Sequence, residues 1–224
     1  MPNISCPGFR LVRNPGGSGI AQPIEGALAS AYQGTTPAPV AGNVDMRVGD
    51  LVARLTNGYL SCDDNSSLYA VGTAWLGVCV GIVQYWDVAN NVLQRGLGDR
   101  VPGGTVYGAL DERESRILVM PFCDGQVWEC QFAGIAVGVT RAAWKACIGA
   151  NVDPTWAGAV LAQGRCNTQL DDTTVGVGAG LSFRIVDIPD ETTFGPQDWA
   201  AVNVKAHVSA NLAQQPPVGT TAGI

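Results

Sequence analysis

The sequence predicts an all-β protein: a jelly-roll-like sandwich or a β-barrel with extended N- and C-terminal arms. Three observations predict it. Several short runs alternate apolar and polar residues at spacing two, β-branched and aromatic residues fill them, and Gly, Pro, Asn and Asp punctuate the intervals. The 29 glycines and 13 prolines among 224 residues follow no triplet period, so they read as turns between strands and not as collagen. Hydrophobic residues make up 46% and charged residues 14%, a balance that fills a core and is the opposite of a disordered chain.

Taken in order, residues 1–44 are rich in Gly, Pro, Ala and Thr ("NPGGSGIAQP", "GTTPAPVAG") and are expected to form an extended N-terminal arm. Residues 45–210 form the β body, with two lobes meeting near 133–150 as an alternative, and 211–224 ("NLAQQPPVGTTAGI") form a flexible tail. Such ends bury too little surface to order alone, so they suit contacts with a neighbour in an assembly. On that expectation, deleting 1–44 removes an assembly contact.

The body opens with a strand in "VGDLVARL", 48–55. Next comes "AVGTAWLGVCVGIVQYWD", 70–87, within a stretch uncharged from 65 to 86. Its length raises the question of a membrane helix. The apolar part, 68–83, is shorter than the roughly 20 residues a spanning helix needs. Leu76, Val78, Val80 and Ile82 alternate with Gly77, Cys79 and Gly81, which is the period of a buried strand. The small-residue face predicts close approach of another backbone or sheet, and predicts that Gly81→Leu disrupts folding or trimer formation.

Downstream, "RILVMPF" from Arg116 is a strand stopped by Pro121. An Asp124-Gly125 turn precedes a strand with Trp128, Cys130 and Phe132 on one face and Val127, Glu129 and Gln131 on the other. Leu181, Phe183 and Ile185 oppose Ser182 and Arg184; Val202, Val204, Ala206 and Val208 oppose Asn203, Lys205 and His207. One segment reads as helix: "TRAAWKACIG", with Thr140 as N-cap and Gly149 as stop.

Charge excludes several function classes. The net charge is −6, with two lysines, Lys145 and Lys205, beside eleven arginines in no cluster, so neither nucleic acid nor an anionic membrane is an expected partner. "MPNISCPGFR" lacks a basic stretch followed by an apolar one, so no secretory signal is expected, and the sequons at Asn3 and Asn65 carry no weight. The seven cysteines, Cys6, Cys62, Cys79, Cys123, Cys130, Cys147 and Cys166, include no C-x-x-C pair and read as reduced, mostly buried thiols. A zinc site would need thiolates from scattered positions, and a cupin centre needs more than one histidine.

Catalytic motifs are equally sparse. There is no Gly-Lys pair for a phosphate-binding loop, and "GGSGI" at 16–20 has Ile20 where a nucleophile elbow has glycine. His207, the single histidine, falls on the polar face of a strand and reads as solvent-facing. The pairs Asp63/Asp64 and Asp171/Asp172 could ligate calcium, yet beside Asn, Ser and Thr they read first as turns. No catalytic residue, cofactor-binding residue or metal ligand is assigned.

A succession of segments carries a resemblance: "CPGFRLVRNPGG", "VGDLVARLTNG", "AWLGVCVGIVQYWD", "RILVMPFCDGQVWECQF", then "QLDDTT" and "LSFRIVDIPDETTFG…AAVNVKAHV". Their order resembles a family of small structural proteins of tailed bacteriophages that decorate, or cement, the capsid. The likeness spans about 8–208; this chain departs from it by an inserted residue after Pro121 and by more cysteine. The resemblance implies no enzyme and no cofactor. It implies a virion protein made in the bacterial cytoplasm that trimerises, binds the outer surface of the major capsid protein lattice and stabilises the DNA-filled head. Another virion part or a carbohydrate-binding host-attachment module is the alternative, followed by a glycan hydrolase, which would need two carboxylates about 5–10 Å apart across a cleft.

Overall fold

The computed structural model describes residues 8–13, 22–28, 46–54, 60–61, 75–87, 90, 92–95, 100–101, 115–156, 166, 168–177, 181–192 and 195–211. In chain order the strands are β1 (Arg10–Arg13), β2 (Ile24–Ala27), β3 (Met46–Arg47), β4 (Leu51–Arg54), β5 (Leu60–Ser61), β6 (Trp75–Asp87), β7 (Val92–Arg95), β8 (Arg100–Val101), β9 (Arg116–Pro121) and β10 (Val127–Gln131). A short helix, α1 (Arg141–Lys145), follows. Then come β11 (Asn151–Val152), β12 (Pro154–Trp156), β13 (Thr168–Leu170), β14 (Phe183–Asp187), β15 (Glu191–Thr192), β16 (Gly195–Pro196) and β17 (Lys205–Ala210). The fold is an all-β sandwich, as the alternation predicts. No helix among the described residues is long and apolar enough to cross a membrane.

One layer is a five-stranded sheet in the order β1-β10-β17-β14-β11, with antiparallel pairing throughout. Its register puts Leu11, Trp128, Val208 and Ile185 in one row across four strands. That row faces the core, as the period-two reading requires. The other layer runs β2-β9-β6-β4-β5, with β7 also paired to β6. This sheet curls until its outer strands come together at the Leu28–Leu60 bridge, making a half-barrel with its own interior.

Two apolar clusters result. Between the layers, Trp128, Phe183, Ile185 and Val208 of the flat sheet meet Leu51, Trp75 and Val78 of the curled one. Phe122 bridges them, 5.6 Å from Trp128 and 5.5 Å from Phe183, both edge-on. Inside the curl lie Leu28, Val52, Leu60, Cys79, Ile82, Ile117 and Val119.

β6 is one strand, thirteen residues long, as the sequence predicts, but its faces are not those of simple alternation. Trp75 and Val78 point between the layers, whereas Leu76, Cys79 and Ile82 belong to the interior of the curl. Register shifts against β4 and β9 are the cause: each adds a residue, resets which side chains share a face and bends the sheet. The close backbone approach is at Gly77, where a Cβ would lie 2.1 Å from the Met120 carbonyl oxygen. Gly81 is roomier, its nearest neighbour being the Leu118 side chain at 3.4 Å. The tight position is therefore Gly77, not Gly81.

Parts of the expected N-terminal arm join the body. β1 pairs with β10 and β2 with β9, so deleting 1–44 would strip a strand from each layer. Both are four-residue outer strands with one pairing partner among the described residues. The remainder of 1–44 and of the tail beyond Asn211 lies outside the described residues. The 133–150 segment joins β10 to β11 of the same sheet. It carries α1, whose N-cap Thr140 accepts from the Ala143 N–H at 3.2 Å, and which buries Trp144 against Phe132 at 4.9 Å.

Candidate functional site

Two polar clusters lie toward the β1 end of the flat sheet, one where the layers join and one on the sheet's other face. The first is buried and centres on Asp50, which the turn after β3 carries into the core with no exposed surface. Its Oδ2 accepts from the Arg47 backbone N–H at 2.8 Å; its Oδ1 accepts from the Cys166 thiol at 2.7 Å and the Thr168 hydroxyl at 3.0 Å. Main-chain bonds extend the junction: Phe9 N–H to Gly49 C=O, Gly8 N–H to Thr168 C=O, and Cys79 N–H to Asp50 C=O. Gly8 and Gly49 flank Cys166 with φ of 99° and 100°, and a Cβ on Gly8 would lie 2.7 Å from the Cys166 Cβ. Glycine is required there twice over, by backbone conformation and by space.

This junction is built to hold. Burial, then the charge of Asp50 and the hydrogen bond to it, push the Cys166 thiol well above its ordinary range. A thiol kept protonated is a donor and not a nucleophile. Burial likewise pushes Cys79 up to about 12. The five described cysteines are free; Cys79, Cys130 and Cys166 are buried, and Cys123 and Cys147 are partly exposed.

The second cluster lies on the outer face of the flat sheet. Arg10, Glu129 and His207 stand in one cross-strand row on β1, β10 and β17. Arg10 Nη2 is 3.1 Å from Glu129 Oε1, and His207 Nε2 is 3.7 Å from Glu129 Oε2. Burial opposes ionisation of Glu129, but His207, Arg10 and Lys205 outweigh it and hold the carboxyl below its ordinary value. In the adjoining row, Gln131 pairs with Lys205, and both are buried. Gln197 acts as a surrogate strand neighbour to Lys205: its Oε1 accepts from the Lys205 N–H at 2.6 Å, and its Nε2 donates to the Lys205 carbonyl at 3.0 Å. A cleft of about 190 Å³ opens here between residues 8–10 and the 48–49 turn, with Glu129, Gln131 and Lys205 in its lining.

The structure places the other candidates as follows. His207 is not simply solvent-facing: its side chain is 22% exposed and turned to Glu129. Asp171 does turn chemistry, its Oδ1 accepting from the Thr173 N–H at 2.9 Å and hydroxyl at 2.6 Å, whereas Asp172 is buried and accepts from the Ala136 N–H of a segment distant in sequence. Asp63, Asp64, Asn3, Asn65, Cys6, Cys62 and the 16–20 motif lie outside the described residues. Among the described residues no group of three or more His, Cys, Asp or Glu is arranged to hold a metal ion.

Sequence reasoning missed Asp50 as a centre and read Glu129, Gln131 and Lys205 only as an outward polar face. The available signal was a lone acid between Gly49 and the apolar run Leu51-Val52-Ala53, which predicts a buried carboxylate with local donors. No family model, curated protein or solved structure matches this chain.

Proposed function

We propose that this chain is a non-enzymatic capsid decoration protein, which binds as a homotrimer to the outer surface of a major capsid protein lattice and stabilises the DNA-filled head. One observation carries the reading. Segments on which the resemblance rests converge at the Asp50 junction: 8–10 and 48–50 pair through Phe9 and Gly49, and 77–81 joins them through Cys79. Residues 121–131 supply Cys130, whose thiol reaches the Thr168 carbonyl, and the end of "AAVNVKAHV" pairs with β10. What the succession of motifs specifies is thus a cross-braced β body with its thiols and central carboxylate engaged internally. A rigid body that contributes many modest contacts to a lattice needs that, since each contact becomes nearly intramolecular once the first has formed.

The test is a count. Particles purified from the source are expected to hold this chain in a fixed simple ratio to the major shell protein, in hundreds of copies. A handful of copies would move it to a tail or vertex, and its absence from particles would overturn the reading.

A further inference from the structure

We propose that the exposed side of residues 133–150, with Val177 beside it, is the surface through which copies of this chain associate. Of the ten large apolar side chains exposed among the described residues, four lie here: Ile135, Val139, Ile148 and Val177. Val139 is 54% exposed and Val177 97%. Scattered singly, such side chains would need no explanation; gathered on one surface they mark a place of contact. Backbone contacts gather them. Asn151 and Gly176 exchange both main-chain bonds, at 2.7 and 3.0 Å, which sets Val177 beside the end of the segment. The Ala136 N–H donates to Asp172, which ties the turn holding Ile135 to the same 171–177 stretch. Trp144 is fully buried beneath, and its Nε1 donates to the Trp199 carbonyl at 3.1 Å. A face pinned in this way loses little conformational freedom when it docks.

Charge identifies the occupant. The chain carries −6, so its copies repel one another wherever carboxylates meet. Residues 133–150 contain no Asp or Glu, although the chain has 19. The two cations of the segment are matched in place: Arg141 Nη2 lies 2.9 Å from Asp190 Oδ2, and Lys145 Nζ lies 3.4 Å from the same oxygen. In the adjoining turn Asp172 is buried and Asp171 accepts from Thr173. What is left to a partner is aliphatic surface, which demands no matched donor or acceptor. Around a symmetry axis the same residues of each copy meet, and a face of this kind is complementary to itself.

This inference rests on the self-association in the decoration reading and not on the capsid, so it is tested on the isolated full chain. Sedimentation equilibrium over a concentration series is expected to show reversible multimers of the wild-type chain. Val139→Asp and Ile148→Asp, both at exposed positions, should each weaken association by about tenfold or more. Their near-ultraviolet circular dichroism should match the wild type, since neither side chain is part of a core. Val92→Asp, equally exposed but on β7 of the other sheet, should leave association unchanged. A wild-type chain that stays monomeric at every concentration would overturn the proposal. So would variants at 139 and 148 that associate like the wild type, or an equal loss in Val92→Asp. Association through this face by a chain missing from particles would overturn decoration and leave the face standing.

Discussion

The two apolar clusters solve the same problem by different means. Between the layers, large aromatic rings fill the space: Phe9 stacks at 4.8 Å on Phe183, and Phe122 meets both Phe183 and Trp128. Inside the curled sheet the buried residues are aliphatic, with one thiol, and closure is achieved by bulges and by a glycine where β6 passes over β9. A flat-on-curved interface leaves wide gaps that rings fill. A sheet bent on itself leaves a narrow interior in which backbone proximity becomes the constraint. Ring volume should limit stability in the first and backbone clearance in the second.

The contrast is broken most sharply by Phe183→Ala. Phe183 is fully buried and touches two other rings, so its loss leaves a cavity that neighbours pinned by main-chain bonds cannot refill. Urea unfolding should show a loss of about 3–5 kcal/mol. In the small core, Ile117→Val should cost only about 0.5–1.5 kcal/mol. Ile185→Val in the large core is the like-for-like partner of Ile117→Val, and equal costs for those two would show that the interiors are packed alike. Gly77→Ala should cost about 1–3 kcal/mol, and more if β9 cannot move, because the new Cβ meets the Met120 carbonyl. Gly81→Ala, at ordinary contact distance from Leu118, should stay below about 1 kcal/mol by the same assay.

How legible this was in the sequence depends on the element. Strands with one clean apolar face, such as β10 with Trp128 and Cys130, or β14 with Phe183 and Ile185, could be read with their faces correct. The cap of α1 was equally plain, since Thr140 offers a side-chain oxygen where an orphan N–H needs one. β6 was legible as a strand but not in its faces, because a bulge is a property of the partner's register and leaves no mark on spacing two. β1 and β2 were hidden for a related reason: each is four residues long, too short to show a period, and takes its order from one neighbouring strand. The Asp50 junction was legible only as a string of letters. Its donors come from residues 47, 166 and 168, and their meeting is a fact of topology.

The buried thiols sharpen the comparison through pH. Cys79 sits in the small core and Cys166 at the edge of the large one, and both are raised by burial. The folded state keeps protons that the unfolded chain releases above its ordinary thiol value of 9.0. For Cys79, stability is therefore fully present below pH 9 and falls as pH rises toward about 12, by about 1.4 kcal/mol per pH unit once well above 9; Cys166 acts in the same direction. Urea midpoints at pH 8 and 10 should show the decline, and Cys79→Ala should make it shallower, Cys166 keeping its own share. An unchanged slope in that variant would place the alkaline loss elsewhere.

The smallest expected effect concerns the outer face of the flat sheet, where order depends on charge and not on ring volume. Glu129 titrates below its ordinary value of 4.5 in the folded protein, so its contribution is present above that value and is lost as pH falls through the depressed one. Cross-strand charge pairs are worth about 0.2–1 kcal/mol, so the acid limb owed to this row should be shallow. Glu129→Gln should make the thermal midpoint less sensitive to pH below the ordinary carboxyl value of 4.5, and should remove the dependence of that limb on salt, since Arg10 is half exposed and its attraction to Glu129 is partly screened. If the variant instead keeps the acid limb and loses stability equally at every pH, Glu129 acts through packing. The outer face would then be a third apolar-like layer of the molecule and not a surface organised by charge.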